Sequence, residues 1–146
     1  MFFSKSKLPK ALPFLEWQDE EHSIGVPIFD REHQKIFILI NNLHILTQEK
    51  HERTLPPALL EGLRTELLAH FAHEEQVMEK TGFPGRQAHM TDHGALVQEL
   101  QEMFKQFHTG GISVLALPLF LKNWFIKHII DSDRKYAAHL RSHGMR

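Results

Sequence analysis

The feature that most restricts this chain is a set of metal-ligand-type side chains set into apolar helical stripes. In the stretch His70-Phe71-Ala72-His73-Glu74-Glu75, His70 and Glu74 stand four residues apart. On an α-helix that spacing puts two side chains about 6 Å apart along the axis and about 40° apart around it, so both can lean toward one point. His89 and His93 repeat the interval. His33 lies upstream, and His128 is followed five residues later by Asp133. Each group sits in a separate segment whose apolar residues recur every three or four positions, the pattern of an amphipathic helix. Five imidazoles and two carboxylates on four helices can all face one axis in a bundle. The predicted fold is all-α, an up-down-up-down four-helix bundle with an N-terminal arm.

Residues 1–26 form the arm. Pro9, Pro13, Gly25 and Pro27 punctuate it too closely for a helical stripe, while Phe14, Leu15, Trp17, Ile24 and Val26 offer apolar surface to pack across the domain. The bundle is expected over 27–140, with 141–146 frayed. Its first helix starts at Pro27 or Ile28 and carries His33, Ile36, Phe37, Ile40, Leu43, His44 and Thr47. The stretch 50–53 ends it, and Pro56-Pro57 opens the next helix. There Leu63, Leu67, His70, Glu74 and Val77 share the inward phase, which leaves His73 and Glu75 on the flank. Gly82-Phe83-Pro84-Gly85 is a stop. The third helix, from Pro84 or Arg86 to His108, turns His89, His93, Leu96, Leu100, Met103 and Phe107 inward, and Gly110-Gly111 closes it. The fourth begins between Ser113 and Pro118 and runs to about residue 140. Pro118 implies a late start or a bend.

Composition removes several function classes. The 146 residues are 42% hydrophobic, enough for a folded core. No cysteine is present, which excludes disulfides, thiolate metal sites and thiol nucleophiles. A net charge of −1 with both signs interspersed gives no nucleic-acid footprint. No apolar run suggests a signal peptide or a membrane span, so a cytoplasmic protein is expected. Its exposed faces are mixed in charge, which favours a monomer.

A lone inward histidine is usually an ordinary core or boundary residue. Seven unpaired polar groups among Leu63, Leu67, Val77, Leu96, Leu100 and Leu121 would be severely destabilising unless something binds them. A carboxylate can bridge two cations, whereas a neutral imidazole donates one lone pair to one. The set His33, His70, Glu74, His89, His93, His128 and Asp133 therefore suits a pair of metals with one coordination position left open. Imidazole with carboxylate favours iron, and the absence of thiolate disfavours structural zinc. His22, His44, His51, His73, His108, His139 and His143 are assigned to the surface or its boundary. His44 shares the stripe of His33 and is the one most open to another role.

The ordered series Asp30-x-x-His33, His70-Phe71-x-x-Glu74-Glu75-x-x-Met78, His89-x-x-x-His93 and Trp124-x-x-x-His128-Ile129-x-x-x-Asp133-x-x-Tyr136 resembles the hemerythrins. It is most similar to their single-domain bacterial form, from about Trp17 to Tyr136. The resemblance implies a non-haem di-iron centre that binds O2 reversibly, for storage, delivery or sensing. His89, His93 and His128 would hold the coordinatively complete iron, and His33 and His70 the iron with the open position. Glu74 and Asp133 would bridge the pair together with a solvent-derived oxo or hydroxo group. Phe125 stands where the family often has a leucine lining the O2 pocket, and Ile129 is a second candidate lining residue. A bulkier ring at 125 would narrow O2 access. The resemblance implies carriage rather than catalysis, with a redox or delivery partner. A di-iron enzyme handling peroxide or nitric oxide is the alternative. Tyr136 would either hydrogen-bond near Asp133 or fill the bundle end.

Overall fold

The computed structural model describes residues 13–49 and 55–145. His51 and the stretch 50–53 lie outside them. A short helix in the arm, α1 (Asp19–His22), precedes four long helical runs. These are α2 (Pro27–Glu49), α3 (Pro57–Thr81), α4 (Arg86–Thr109) and a last run made of α5 (Ala116–His128), a π-helical turn (Ile129–Asp133) and α6 (Arg134–Ser142). Helix α2 packs on α3 and α5, and α3 packs on α4. The fold is an up-down-up-down four-helix bundle carrying an N-terminal arm.

Local chemistry explains the boundaries. Pro27 and Pro57 open α2 and α3, where a missing N–H is no loss. Gly82 and Gly110 close α3 and α4 in the left-handed conformation, at φ 66° and 75°, which a residue with a Cβ adopts only under strain. Pro118 lies in the first turn of α5, so the helix starts late. The tail expected to fray is instead helical to Ser142. It closes with the N–H groups of His143 and Met145 donating to the Leu140 carbonyl at 3.0 Å each. Leu140 is fully buried beneath that turn, and the Arg141 guanidinium donates to the Ile24 carbonyl.

The core divides along the bundle. Ile40, Leu43, Leu60, Leu63, Leu67, Leu100, Phe107, Leu117 and Leu121 fill an apolar portion. His33, near the start of α2, meets the later half of α3, the start of α4 and the end of α5. The polar cluster is therefore off-centre in the bundle. The described part of the arm, 13–26, lies against α2. Asn41 receives the Leu15 N–H at 2.8 Å and returns a bond from its own amide to the Leu15 carbonyl at 2.7 Å. Phe14 stacks on His44 at 4.0 Å, with the Lys122 ammonium 4.6 Å from its ring centroid. His22, assigned above to the surface or its boundary, is buried instead. Helix α1 folds its ring between Trp17 and Phe37, and its Nδ1 accepts the Gln18 N–H at 3.0 Å.

Asn41→Ala removes both bonds to Leu15 and leaves that peptide's N–H and C=O partnerless. The expected loss is about 1–3 kcal/mol, read by chemical denaturation, with faster proteolysis within 13–26. Unchanged stability and unchanged cleavage would show that Asn41 does not fasten the arm.

Candidate metal centre

Four helical runs bring the seven side chains singled out from the sequence into one buried cluster. His33 comes from α2, His70 and Glu74 from α3, His89 and His93 from α4, and His128 and Asp133 from the last run. None is more than 5% exposed. The π-turn is what admits Asp133. Five residues of regular α-helix would separate His128 and Asp133 by about 140° around the axis. One wider turn brings both onto the inward face, and π-turns of this kind recur at functional sites.

The imidazoles form a pair and a triad. His33 and His70 lie with ring centroids 4.8 Å apart. His89, His93 and His128 lie 4.5–5.0 Å from one another. The two carboxylates straddle the groups. Glu74 Oε1 is 3.3 Å from His70 and 3.7 Å from His33, while Oε2 is 3.2 Å from both His89 and His93. Asp133 Oδ2 is 3.2 Å from His33, and Oδ1 is 3.1 Å from both His89 and His128. Each carboxylate thus turns one oxygen to the pair and the other to the triad. Two sets could each hold a metal ion: His33, His70, Glu74 and Asp133, and Glu74, His89, His93 and His128.

The angles matter more than the distances. Despite their proximity, Nε2 of His33 and His70, Glu74 Oε1 and both Asp133 oxygens have no hydrogen-bond partner. Buried polar atoms without partners are rare and costly. Here several converge on a common space without bonding one another, which is the geometry of ligands around cations.

Electrostatics follow from the same packing. Desolvation alone would depress His70, but the Glu74 charge, aided by contacts with Glu32 and Glu74, raises it to about 10. His89 is likewise desolvated, yet its contacts with Asp133 and Glu74 raise it to about 9. Burial favours the neutral forms of Glu74 and Asp133, and their mutual repulsion adds to this for Asp133. The surrounding imidazoles win, holding both carboxyls well below the ordinary carboxylate range.

Outside the cluster, carboxylates orient the rings. His93 Nδ1 donates to Glu75 Oε1 at 2.8 Å, which leaves Nε2 as the bare lone pair facing inward. Glu32 Oε2 is 3.5 Å from His70 Nδ1, and its Oε1 meets His73 at 2.8 Å. The Tyr136 hydroxyl donates to the Glu74 carbonyl at 3.1 Å, and its fully buried ring also fills the bundle end. Sequence phase placed His73 and Glu75 on the flank without a role, and did not offer Glu32 as a site residue. Their signal was available: Glu32 stands beside His33, His73 one turn from His70, and Glu75 beside Glu74. Phe125 sets its edge against His33, with centroids 5.4 Å apart, and lies 6.3 Å from His70. Ile129 is fully buried in the π-turn.

The family model described as the hemerythrin HHE cation binding domain matches residues 24–140. The chain belongs to the hemerythrin family. A bacteriohemerythrin of Stenotrophomonas maltophilia is 29% identical over 90% of this chain and 85% of its own length. One from Pseudomonas aeruginosa is 31% identical, covering 90% of this chain and 84% of itself. A wild-type hemerythrin crystal structure superposes with a TM-score of 0.78 at 30% identity, over 87% of this chain and 98% of that one. Among the described residues, no helix is long and apolar enough to cross a membrane.

Proposed function

We propose that the cluster holds two non-haem iron ions and that the protein binds O2 reversibly, for storage, delivery or sensing. The observation that carries this reading is the unequal division of ligands. Both carboxylates reach both halves, but three imidazoles face one half and two face the other. Such a donor set would suit two ions, one held by His89, His93 and His128 and the other by His33 and His70, with Glu74 and Asp133 shared between them. Iron bound there would supply the electrons that O2 binding requires.

The chain's own residues then have separable tasks. Glu74 and Asp133 hold the halves together and offset the cationic charge in a water-poor interior. Glu75 fixes the tautomer of His93. The edge of Phe125 covers the two-histidine half and excludes water from it. Neutral imidazoles outnumber carboxylates five to two, and that balance stabilises high oxidation states less than an oxygen-rich donor set does. This favours carriage over O–O cleavage.

Phe125→Leu opens space beside His33 and His70. The expected result is O2 entry and autoxidation each faster by about tenfold, the equivalent of about 1.4 kcal/mol in the barrier, with metal content unchanged. Equal rates would remove Phe125 from the access route.

The function is tested by loading the protein with Fe(II) under anaerobic conditions, counting the metal and recording absorption as O2 is admitted and withdrawn. Two irons per chain and a visible band that appears and reverses are expected. Prompt conversion to a ferric form with turnover of peroxide or nitric oxide would replace carriage by enzymology. Failure to take up iron would sink both.

A further inference from the structure

One surface groove reaches the cluster beside its three-histidine half. It holds about 340 Å³ and is lined by α4 (Asp92, Ala95) and the last helical run (Trp124, Lys127, His128, Asp131, Ser132). The ring of His128, a member of the triad, forms part of its wall. Two other depressions between described residues contain none of the seven cluster side chains. Trp124 is half-buried and stacks on His128, with centroids 4.5 Å apart and planes 13° from parallel. Beneath them Phe71 stacks on His93 at 3.9 Å and 11°. The Trp124–His128 stack thus joins the groove to the three-histidine half, with Phe71 tilted by about 60° to both rings, while Phe125 stands over the two-histidine half.

We infer that this groove is a reductant site, in which a reduced flavin ring docks against Trp124 and passes electrons through the Trp124–His128 stack to the oxidised metal pair. The inference rests on the di-iron reading above. The groove has the size of a small-molecule site, which begins at about 300 Å³. An indole is a platform for a planar heteroaromatic ring. Asp92 and Asp131 are acceptors for the N–H groups of a dihydroflavin, and Lys127 donates to its carbonyl oxygens. The balance is complete. One dihydroflavin gives up two electrons and two protons to become oxidised flavin, and the two ferric ions each take one electron. The protons leave to solvent through the open groove. Electrons then enter at the three-histidine half and O2 at the two-histidine half, so rereduction of autoxidised protein does not compete with ligand entry.

Binding and electron transfer are measured separately. Riboflavin is titrated into the metal-free protein, following quenching of flavin fluorescence, with flavin mononucleotide as a second arm. If the ring alone is recognised, both bind alike; tighter mononucleotide binding would show that the phosphate adds to the ring contact. Trp124→Leu should weaken either arm by about tenfold, as expected for a lost aromatic platform, while Trp17→Phe leaves it unchanged. Ala95→Arg, on an exposed helix face, fills the groove without touching the core and should have the same effect as Trp124→Leu. In the oxidised iron-loaded protein, both variants should be reduced by dihydroriboflavin about tenfold more slowly than wild type, and Trp124→Phe should restore most of the rate. No saturable quenching by wild type, or reduction rates indifferent to Trp124 and Ala95, would overturn the inference. Absence of an iron pair with intact riboflavin binding would instead overturn the di-iron reading and, with it, the groove's role in electron transfer.

Discussion

Glu74→Gln is expected to cut bound metal from the proposed two ions per chain to one or none, and to weaken any remaining site by more than about 100-fold, beyond the usual effect of losing an outer partner. Glu74 is fully buried, and its two oxygens lie within 3.7 Å of four imidazoles divided between both halves. Glutamine keeps the shape but removes the charge, and it points an amide N–H₂ where a lone pair is needed. The metal-free protein should suffer as well. Removing one partner from a buried charged cluster destabilises by about 3–5 kcal/mol. The informative contrast is Glu75→Gln. That side chain is 24% exposed and touches only the outer nitrogen of His93, so a loss of about 10–100-fold with both metals retained is expected. Metal analysis and calorimetric titration of the two variants provide the comparison. Two ions bound to Glu74→Gln at wild-type affinity would refute a bridging role.

Stripping the metal should reverse the way stability responds to pH. In the metal-free chain His70 and His89 are raised to about 10 and about 9. Their contribution is fully present below the unfolded value near 6.5 and is lost as pH rises through 9 and 10. Glu74 and Asp133 are depressed, so theirs is present above the ordinary carboxyl range and lost as pH falls below it. These are two views of one set of pairings and are not additive. The metal-free protein should therefore be most stable at about pH 5–6.5 and weaken toward pH 10, by up to about 1.4 kcal/mol per pH unit for each proton released. Loading requires neutral imidazoles, and His33 is raised as well by Asp133 and Glu74 against its desolvation, so at pH 7 loading should release at least two protons, and affinity should rise with pH. Metal at about 100 times its dissociation constant adds about 2.7 kcal/mol, a rise in Tm of about 5–10 °C for a chain of this size. Denaturation of both forms at pH 6, 7.5 and 9, with proton release measured in weak buffer, tests the argument. Metal-free stability that is flat with pH, or loading without proton release, would show that the imidazoles are not held protonated by these carboxylates.

The bundle and its seven inward side chains were legible in the sequence because both depend on spacing along single helices. Four-residue intervals fix His70 with Glu74 and His89 with His93 on common faces, whatever lies opposite. Proline and glycine mark most of the helix limits for equally local reasons. What spacing could not provide was contact between helices. The interval of five between His128 and Asp133 argues against a shared face on a regular helix. Only packing in the folded bundle selects the π-turn that brings them together. The burial of His22 against Phe37, the clasp between Asn41 and Leu15, and the Arg141 bond to the Ile24 carbonyl each join segments distant in sequence, so no local pattern announces them. The division of each carboxylate between pair and triad, and the groove that runs past Trp124 and His128, arise only when all four runs are assembled. The sequence by itself determined which side chains face inward. Tertiary structure decided which oxygen faces which imidazole, because that depends on helix rotation and separation, which side chains from several segments set jointly.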